Sequence, residues 1–572
     1  MADSSGPATG ALRRYWPVGV AIVVIAAVVA VGVLSGSDDD DPGDVATPGI
    51  DTTTGDDASG EPTDDELTDI EAWAALDPMD APDCDRDTGR IMIPSVYAPN
   101  CVALWPEGAD NGGATHRGIT ADEIVVAVYV GQTAASAQGS IDALGLVSLT
   151  DEEIAENRDK LVSAHNDLFE TFGRQVRWER LDASGGGSDE AAARADAIEA
   201  AEEIGAFAVI GGPSGTTAFA DELVARQVIC ICTDSQPIEL YQRWAPYVWS
   251  GLMASTQGYV HIADYLETRL AGKVAEFAGD PAFHDRERTF GLVWYETADG
   301  SYQEGTNFFL DRIDAMGLEL EIDISYIYGT GDRLSEDASA IITRLKSLGV
   351  TTVIFGGDPF MPIHLTNQAT DQDYYPEWMM SGFTLLDFRG FARQYHPDQW
   401  RNAFGLSLIL PPIDPDVAQR EGNLVSWHLG EELSSYPGFY NWGRFFTAVH
   451  LAGPVLTPET FRDGLFSFKP VSGFQTEYGV SYGHGLWPWP DYLGADDVTE
   501  IWWDPDAIDP TEVGTEVRGM YRYTDKARRY GPDQLDQIEG RLFDLENTVT
   551  YFEERPAGDT PPRYPRRSGR EG

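Results

Sequence analysis

Short apolar runs and amphipathic stretches alternate in two series along this chain, and that alternation restricts the folds open to it. The first series starts with Glu123–Gly131 (EIVVAVYVG), an apolar strand ending in Gly. Lys160–Phe172 then carries Leu161, His165, Leu168 and Phe172 at helical spacing, with Gly173 as a C-terminal stop. Val176–Leu181 alternates as a strand, and Ser188 opens an Ala-rich helix that stops at Gly205. Phe207–Ile210 is a buried strand, Gly211–Thr217 a loop, Ala218–Arg226 a helix and Val228–Cys232 another buried strand. The pattern restarts at Phe290–Tyr295. Tyr302, Gly305, Phe309, Ile313 and Met316 mark the helix face that follows. Leu318–Tyr328 alternates, Ser335 caps a helix carrying Ala338, Ile341, Ile342, Leu345 and Leu348, and Thr352–Phe355 is a buried strand leading into Gly356-Gly357-Asp358-Pro359. Strands alternating with helices imply parallel sheets covered by helices, and two series imply two similar α/β lobes.

The ends of the chain are different in kind. Arg13 and Arg14 precede an unbroken apolar run, Pro17–Leu34, and Asp38–Asp41 follow it. Eighteen residues at helical rise span about 27 Å, enough for a bilayer core, and the charge order puts the N-terminus in the cytoplasm. Residues 1–36 are therefore expected to be a transmembrane anchor, with a cleaved signal segment as the rival reading. Residues 37–78 are rich in Asp, Gly, Thr, Pro and Ser and read as an acidic stalk. Residues 79–117 form a small loop-rich module holding Cys84 and Cys101. An outside location permits a disulfide between them, which contributes on the order of 3 kcal/mol. Cys230 and Cys232, two apart on a buried strand, are expected to be reduced thiols. The first part of the first lobe is placed at 118–255, the first part of the second at 256–383, return segments completing both lobes at 384–500 and a C-terminal extension with a basic tail at 501–572.

Against 39 Lys and Arg stand 94 Asp and Glu, a formal charge of −55. Such a chain repels nucleic acid and anionic headgroups, which excludes both as partners of the folded part. The nine His show no HExxH or other metal spacing. No G-x-S-x-G elbow occurs, and Gly185-Gly186-Gly187 is not followed by the Lys-Ser/Thr of a phosphate loop. No enzyme activity, metal or cofactor is expected.

Four stretches carry a resemblance: AVIGGPSGTT (Ala208–Thr217), VICICTDSQP (Val228–Pro237), YETADGSYQEG (Tyr295–Gly305) and ITRLKSLGVTTVIFGGDP (Ile342–Pro359). In this order the chain resembles the type I periplasmic binding proteins, the Leu/Ile/Val-binding kind that serves ABC importers. The Cys84–Cys101 module with Asp110–Thr115 resembles a prefix of some actinobacterial members. The resemblance implies two α/β lobes joined by three crossing strands, with a small polar ligand held in the cleft and an ABC permease as partner. It implies ligand contacts from Ser214, Thr216 and Ser235 in the first lobe and from Tyr302 and Asp358 in the second. An amino acid or related amide is the implied ligand class. Asp234 and the loop Gly131–Ser136, which lacks the family's Gly-Pro opening, depart from the pattern and keep polyol, peptide or cationic ligands open.

Each of these residues also has a plainer reading. Ser214 and Thr216 suit a helix cap, Asp358 before Pro359 an N-terminal cap, and Tyr302 a core position. Trp487, Trp489, Trp502 and Trp503 read as packing of the C-terminal part. The function expected is extracytoplasmic solute capture for an ABC importer. The alternative is a membrane-anchored sensory or surface protein of the same fold.

Overall fold

A computed structural model describes residues 64–131, 150–213, 215–296, 300–327, 331–382, 385–414, 417, 424–431, 433, 438–511 and 516–566. The apolar run 17–34, most of the stalk and Ser214 lie outside them. Among the described residues no helix is long and apolar enough to cross a membrane.

Two sheets organise the chain. The first contains β1 (Glu123–Val130), β2 (Gln175–Asp182), β3 (Ala208–Ile210) and β4 (Ile229–Ile231), all parallel, in the order β2-β1-β3-β4. The second contains β5 (Phe290–Glu296), β6 (Leu320–Ile327), β7 (Thr352–Gly356), β8 (Glu377–Met380) and β9 (Ala403–Ser407), parallel to one another. Two antiparallel strands, β10 (Thr499–Ile508) and β11 (Arg518–Tyr523), complete it in the order β11-β10-β9-β8-β7-β5-β6. The parallel parts share one plan: the second strand lies outside the first, and the third lies on its other side. Each sheet therefore has a switch point beside its first strand, where loops diverge and leave a crevice at the strand ends.

Side chains alternate across β1. Ile124, Val126 and Val128 enter a core with Leu161, Phe445, Phe446 and Phe461, whereas Ala127 faces Ala197, Val209 and Phe219 on the other side. In the second sheet Leu292 and Trp294 pack on Phe309 and Ile313, and Val293 packs toward Ile341 and Leu345. Trp502 and Trp503 lie on opposite faces of β10, one in each of these cores. The expected C-terminal extension thus supplies two strands to the second lobe.

Several helix boundaries differ from the periodicity. The helix expected over Lys160–Phe172 runs Asp151–Leu168, because Thr150 and Glu153 close a reciprocal capping box ahead of it. Asp189, not Ser188, caps the Ala-rich helix through the N–H groups of Ala191 and Ala192. Ser335 lies inside a helix, Gly331–Leu348.

The cysteines divide between agreement and correction. Cys84 and Cys101 are joined, with Cα atoms 5.5 Å apart, and the module packs Ile91 and Ile93 into the first-lobe core. Cys230 and Cys232, expected as thiols, are joined too. β4 ends at Ile231, so the chain turns at Cys232 and draws the two Cα atoms to 5.0 Å, inside the range a disulfide spans.

Between the lobes the chain passes through residues 250–254, 408–414 and 493–498, and a buried cation knits the last two passages together. Arg529, from the segment after β11, donates to the Asp497 carboxylate at 2.7 Å, to the Asp497 carbonyl at 2.7 Å and to the Leu408 carbonyl at 3.4 Å. Its guanidinium lies over the Tyr478 ring, 5.1 Å from the centroid. The side chains of Arg529 and Asp497 are 0% and 5% exposed. Removing one partner strands a buried charge, a loss of about 3–5 kcal/mol. Denaturant unfolding of Asp497→Ala is expected to show that loss, and a change below about 1 kcal/mol, the value of a surface pair, would contradict the assignment.

Candidate functional site

The first lobe presents two loops at its switch-point end. β3 gives way to Gly211, Gly212 and Pro213, then to the helix Ala218–Ala225. A Cβ on Gly212 would come within 2.6 Å of the Cys232 carbonyl oxygen, so glycine lets the two loops lie side by side. Thr216 is buried and its hydroxyl accepts the Ala218 N–H at 3.1 Å, satisfying one of the free donors at the helix start. The β4 loop holds Thr233, Asp234 and Ser235, with Ser235 in the left-handed region at φ 58°. Asp234 accepts from the Ser250 hydroxyl at 2.5 Å and the Gly251 N–H at 3.1 Å, which fastens this loop to the first passage between lobes. The departure noted in the sequence is therefore a structural carboxylate with named partners.

The second lobe offers an aromatic wall. β5 is followed by the helix Ser301–Ala315, which brings the Tyr302 ring to 4.4 Å from that of Tyr295. Burial, and then the neighbouring Tyr302, hold the Tyr295 hydroxyl well above its ordinary pKa. After β7, Asp358 turns inward and is 2% exposed. One of its carboxyl oxygens accepts the N–H groups of Phe360 at 2.7 Å and Met361 at 3.0 Å, and the other accepts the Tyr326 hydroxyl. Burial raises the Asp358 pKa above the usual carboxylate value despite these donors. A Cβ on Gly357 would stand 2.3 Å from the Tyr326 hydroxyl, so only glycine admits this contact. Asp358 thus anchors the start of the helix Met361–Asp371.

On the first-lobe rim, burial first and then the charge of Asp234 raise the pKa of Tyr241. The Tyr241 hydroxyl donates to the Thr233 carbonyl at 3.2 Å, at the root of the Ser235 loop. The structure accordingly gathers Tyr302, Tyr295, Tyr326 and Asp358 in one wall and sets Thr216 and Ser235 on the other lobe. Ser214 and residues 132–149 of the β1 loop lie outside the described residues. Among the described residues no group of three His, Cys, Asp or Glu is placed to hold a metal.

Sequence reasoning missed the carboxylates between the lobes. Asp491 accepts from the Gln257 amide at 3.2 Å and the Leu493 N–H at 3.1 Å. Asp496 accepts from the Trp487 indole at 2.8 Å and the Ser481 hydroxyl at 2.7 Å. The two carboxyl groups act on each other electrostatically. Asp491 is 2% and Asp496 4% exposed. Burial, and for Asp491 the charge of Asp496, push both pKa values well up, that of Asp496 to about 7. The His261 Nε2–H donates to the Asp496 carbonyl at 3.1 Å, and burial lowers its pKa to about 4, so it is neutral. Nothing in so acidic a sequence distinguishes this pair from dozens of surface carboxylates.

No family profile matches the chain, and no curated protein matches it. Solved structures do. A substrate-binding protein of an ABC transporter from Aeropyrum pernix is 14% identical, with 73% of this chain and 100% of that chain covered at a TM-score of 0.47. An R. palustris solute-binding protein, crystallised with 4-hydroxybenzoate, is 14% identical over 70% of this chain and 97% of that chain, at a TM-score of 0.44. A protein from Rhodopirellula baltica, described as a possible leucine/isoleucine/valine-binding protein, is 14% identical over 67% of this chain and 94% of that chain, at 0.43.

Carboxyls with raised folded-state pKa values hold protons that the unfolded chain has released. Their contribution is full below the unfolded value near 3.8 and is lost as pH rises through about 7. Thermal unfolding of the native protein is therefore expected to drop between pH 5 and 8 on account of this pair. The drop shrinks in Asp496→Asn, whose amide does not titrate and carries no charge beside Asp491. Equal drops in both proteins would contradict the assignment of the pH dependence to this pair.

Proposed function

We propose that this chain is a solute-binding protein that captures a small polar ligand between its lobes and delivers it to an ABC importer. The observation that carries this is the repeated strand plan. Both lobes place a switch-point crevice at the C-terminal ends of their parallel strands, and the chain passes between them three times. Such lobes close by hinge motion when a ligand bonds to both. Ser214, Thr216 and Ser235 would supply hydroxyls from the first lobe and Tyr302 an aromatic face with a hydroxyl from the second. Asp358, whose oxygens already have partners, serves by positioning the β7 loop and adds negative potential that suits an ammonium group. An amino acid or related amide fits this set. A binder needs no nucleophile or metal, and the chain's chemistry is assigned to binding alone. Residues 1–36 are assigned to the membrane, leaving the folded part outside the cytoplasm with its permease; the apolar run and its flanking charges support this.

The test is a ligand panel of amino acids, amides, polyols and aromatic acids, read by intrinsic tryptophan fluorescence and thermal shift on the purified protein. One class should raise the unfolding temperature in a concentration-dependent way. Tyr302→Ala should then weaken that ligand about tenfold, or roughly 1.4 kcal/mol, with folding intact. A panel in which no member shifts either signal would sink the reading.

A further inference from the structure

The last described residues leave the second lobe and end on the first. Val549 pairs with Tyr523 of β11 through bonds of 2.8 and 3.1 Å. Phe552 then lies parallel to Ile413, accepting the Asp414 N–H at 2.8 Å and donating to the Pro412 carbonyl at 2.9 Å. This stretch therefore runs beside the second passage between lobes as an added strand. Beyond it, Arg555 pairs with Glu477 at 2.6 Å, with the side chains 6% and 13% exposed. Asp559 is 1% exposed, and one carboxylate oxygen accepts the N–H groups of Gln475 and Thr476 and the Thr476 hydroxyl at 2.6–2.8 Å. Finally, the Tyr564 hydroxyl donates to Asp85 of the cysteine module at 2.7 Å, and its carbonyl accepts the Trp427 indole at 3.2 Å.

These contacts differ in kind from the packing of a loose tail. Carboxylate Asp559 takes three donors at once in a buried site, and Arg555 and Glu477 are largely withdrawn from water, where an ion pair is screened little. Asp85 lies in the cysteine module and Gln475, Thr476 and Glu477 in the stretch before the last passage between lobes, whereas Tyr523 belongs to the second sheet. A chain fixed at both ends in this way resists relative rotation of the lobes. We propose that residues 549–566 are a fourth crossing segment that clamps the two lobes and sets the range of angles open to the hinge. The clamp rests on the reading of the lobes as a hinged pair, but it acts in the absence of ligand. Any ligand that changes the angle must do so against the Arg555–Glu477 and Asp559–Thr476 contacts, so the segment tunes affinity through the cost of motion.

The experiment reads the lobe-to-lobe distance in the ligand-free protein. Dyes are placed at Glu190→Cys and Glu336→Cys, exposed positions on a helix of each lobe, while the native cysteines are held in disulfides. Single-molecule energy transfer should give one narrow distribution in the parent protein. In the Arg555→Ala/Asp559→Ala double variant it should broaden and shift its mean, and Glu477→Gln should move it in the same direction by less. Unchanged distributions in variants with native circular dichroism would overturn the clamp. So would loss of folding in both, because the segment would then be building the lobes themselves. Failure of every ligand in the panel leaves these distances unaffected, so the two proposals fall separately.

Discussion

The buried contact between Arg529 and Asp497 is the interaction on which the relation of the lobes depends. A guanidinium out of water is costly unless it is paired, and here a carboxylate and two carbonyls accept from Nε and Nη2. Those acceptors belong to two different passages between the lobes. The donor comes from a third stretch, beyond the last strand of the second sheet. The contact therefore fixes three chain segments at one point, which an apolar cluster of the same size would do with less directional control. Tyr478 beneath the guanidinium closes the remaining face. Beside this knot lie the buried Asp491–Asp496 pair, whose pKa values are raised, and neutral His261, so the seam is polar and depends on its protonation state.

That polar seam matters because each lobe has its own apolar cores, on both faces of its own sheet. Two lobes joined by a continuous apolar core would have to expose it to move. Lobes joined by hydrogen bonds and a buried ion pair can pivot about fixed points, which is what capture of a ligand between them requires. In the proposed function the strand ends supply the ligand side of the seam, with Thr216 and Ser235 on one rim and Tyr302 on the other. Asp234 and Asp358 hold those rims in place through the Gly251, Phe360 and Met361 amides.

The parallel α/β layout was legible because β1, β3, β4 and β7 are short apolar runs that only a sheet covered on both faces can bury. Helix starts were less so. Periodicity reports which face is buried, whereas the start of Asp151–Leu168 is set by Thr150 and Glu153, which lie ahead of the apolar stripe. The role of Trp502 and Trp503 as alternating residues of an antiparallel strand needed the partner strand β9, which is remote in sequence. Cys230 and Cys232 were misread because a straight strand was assumed past Ile231. For the site, loop positions after strands followed from topology, but the inward turn of Asp358 depends on Tyr326, again a long-range contact. The carboxyl pair and Arg529 gave no local signal at all.

The central claim is that the C-terminal segment is part of the inter-lobe core through Arg529. Native-state hydrogen exchange tests it most directly. The amide of Tyr530, bonded to the Val498 carbonyl at 2.7 Å, and that of Val498, bonded to the Tyr530 carbonyl at 3.0 Å, report the knot from its two sides. If the account is right, both exchange with the same high opening free energy as the strands of the second sheet, and both lose protection together in Arg529→Ala. Rapid exchange at Tyr530 while β9 and β10 remain protected would show the segment to be an appendage and would contradict the account.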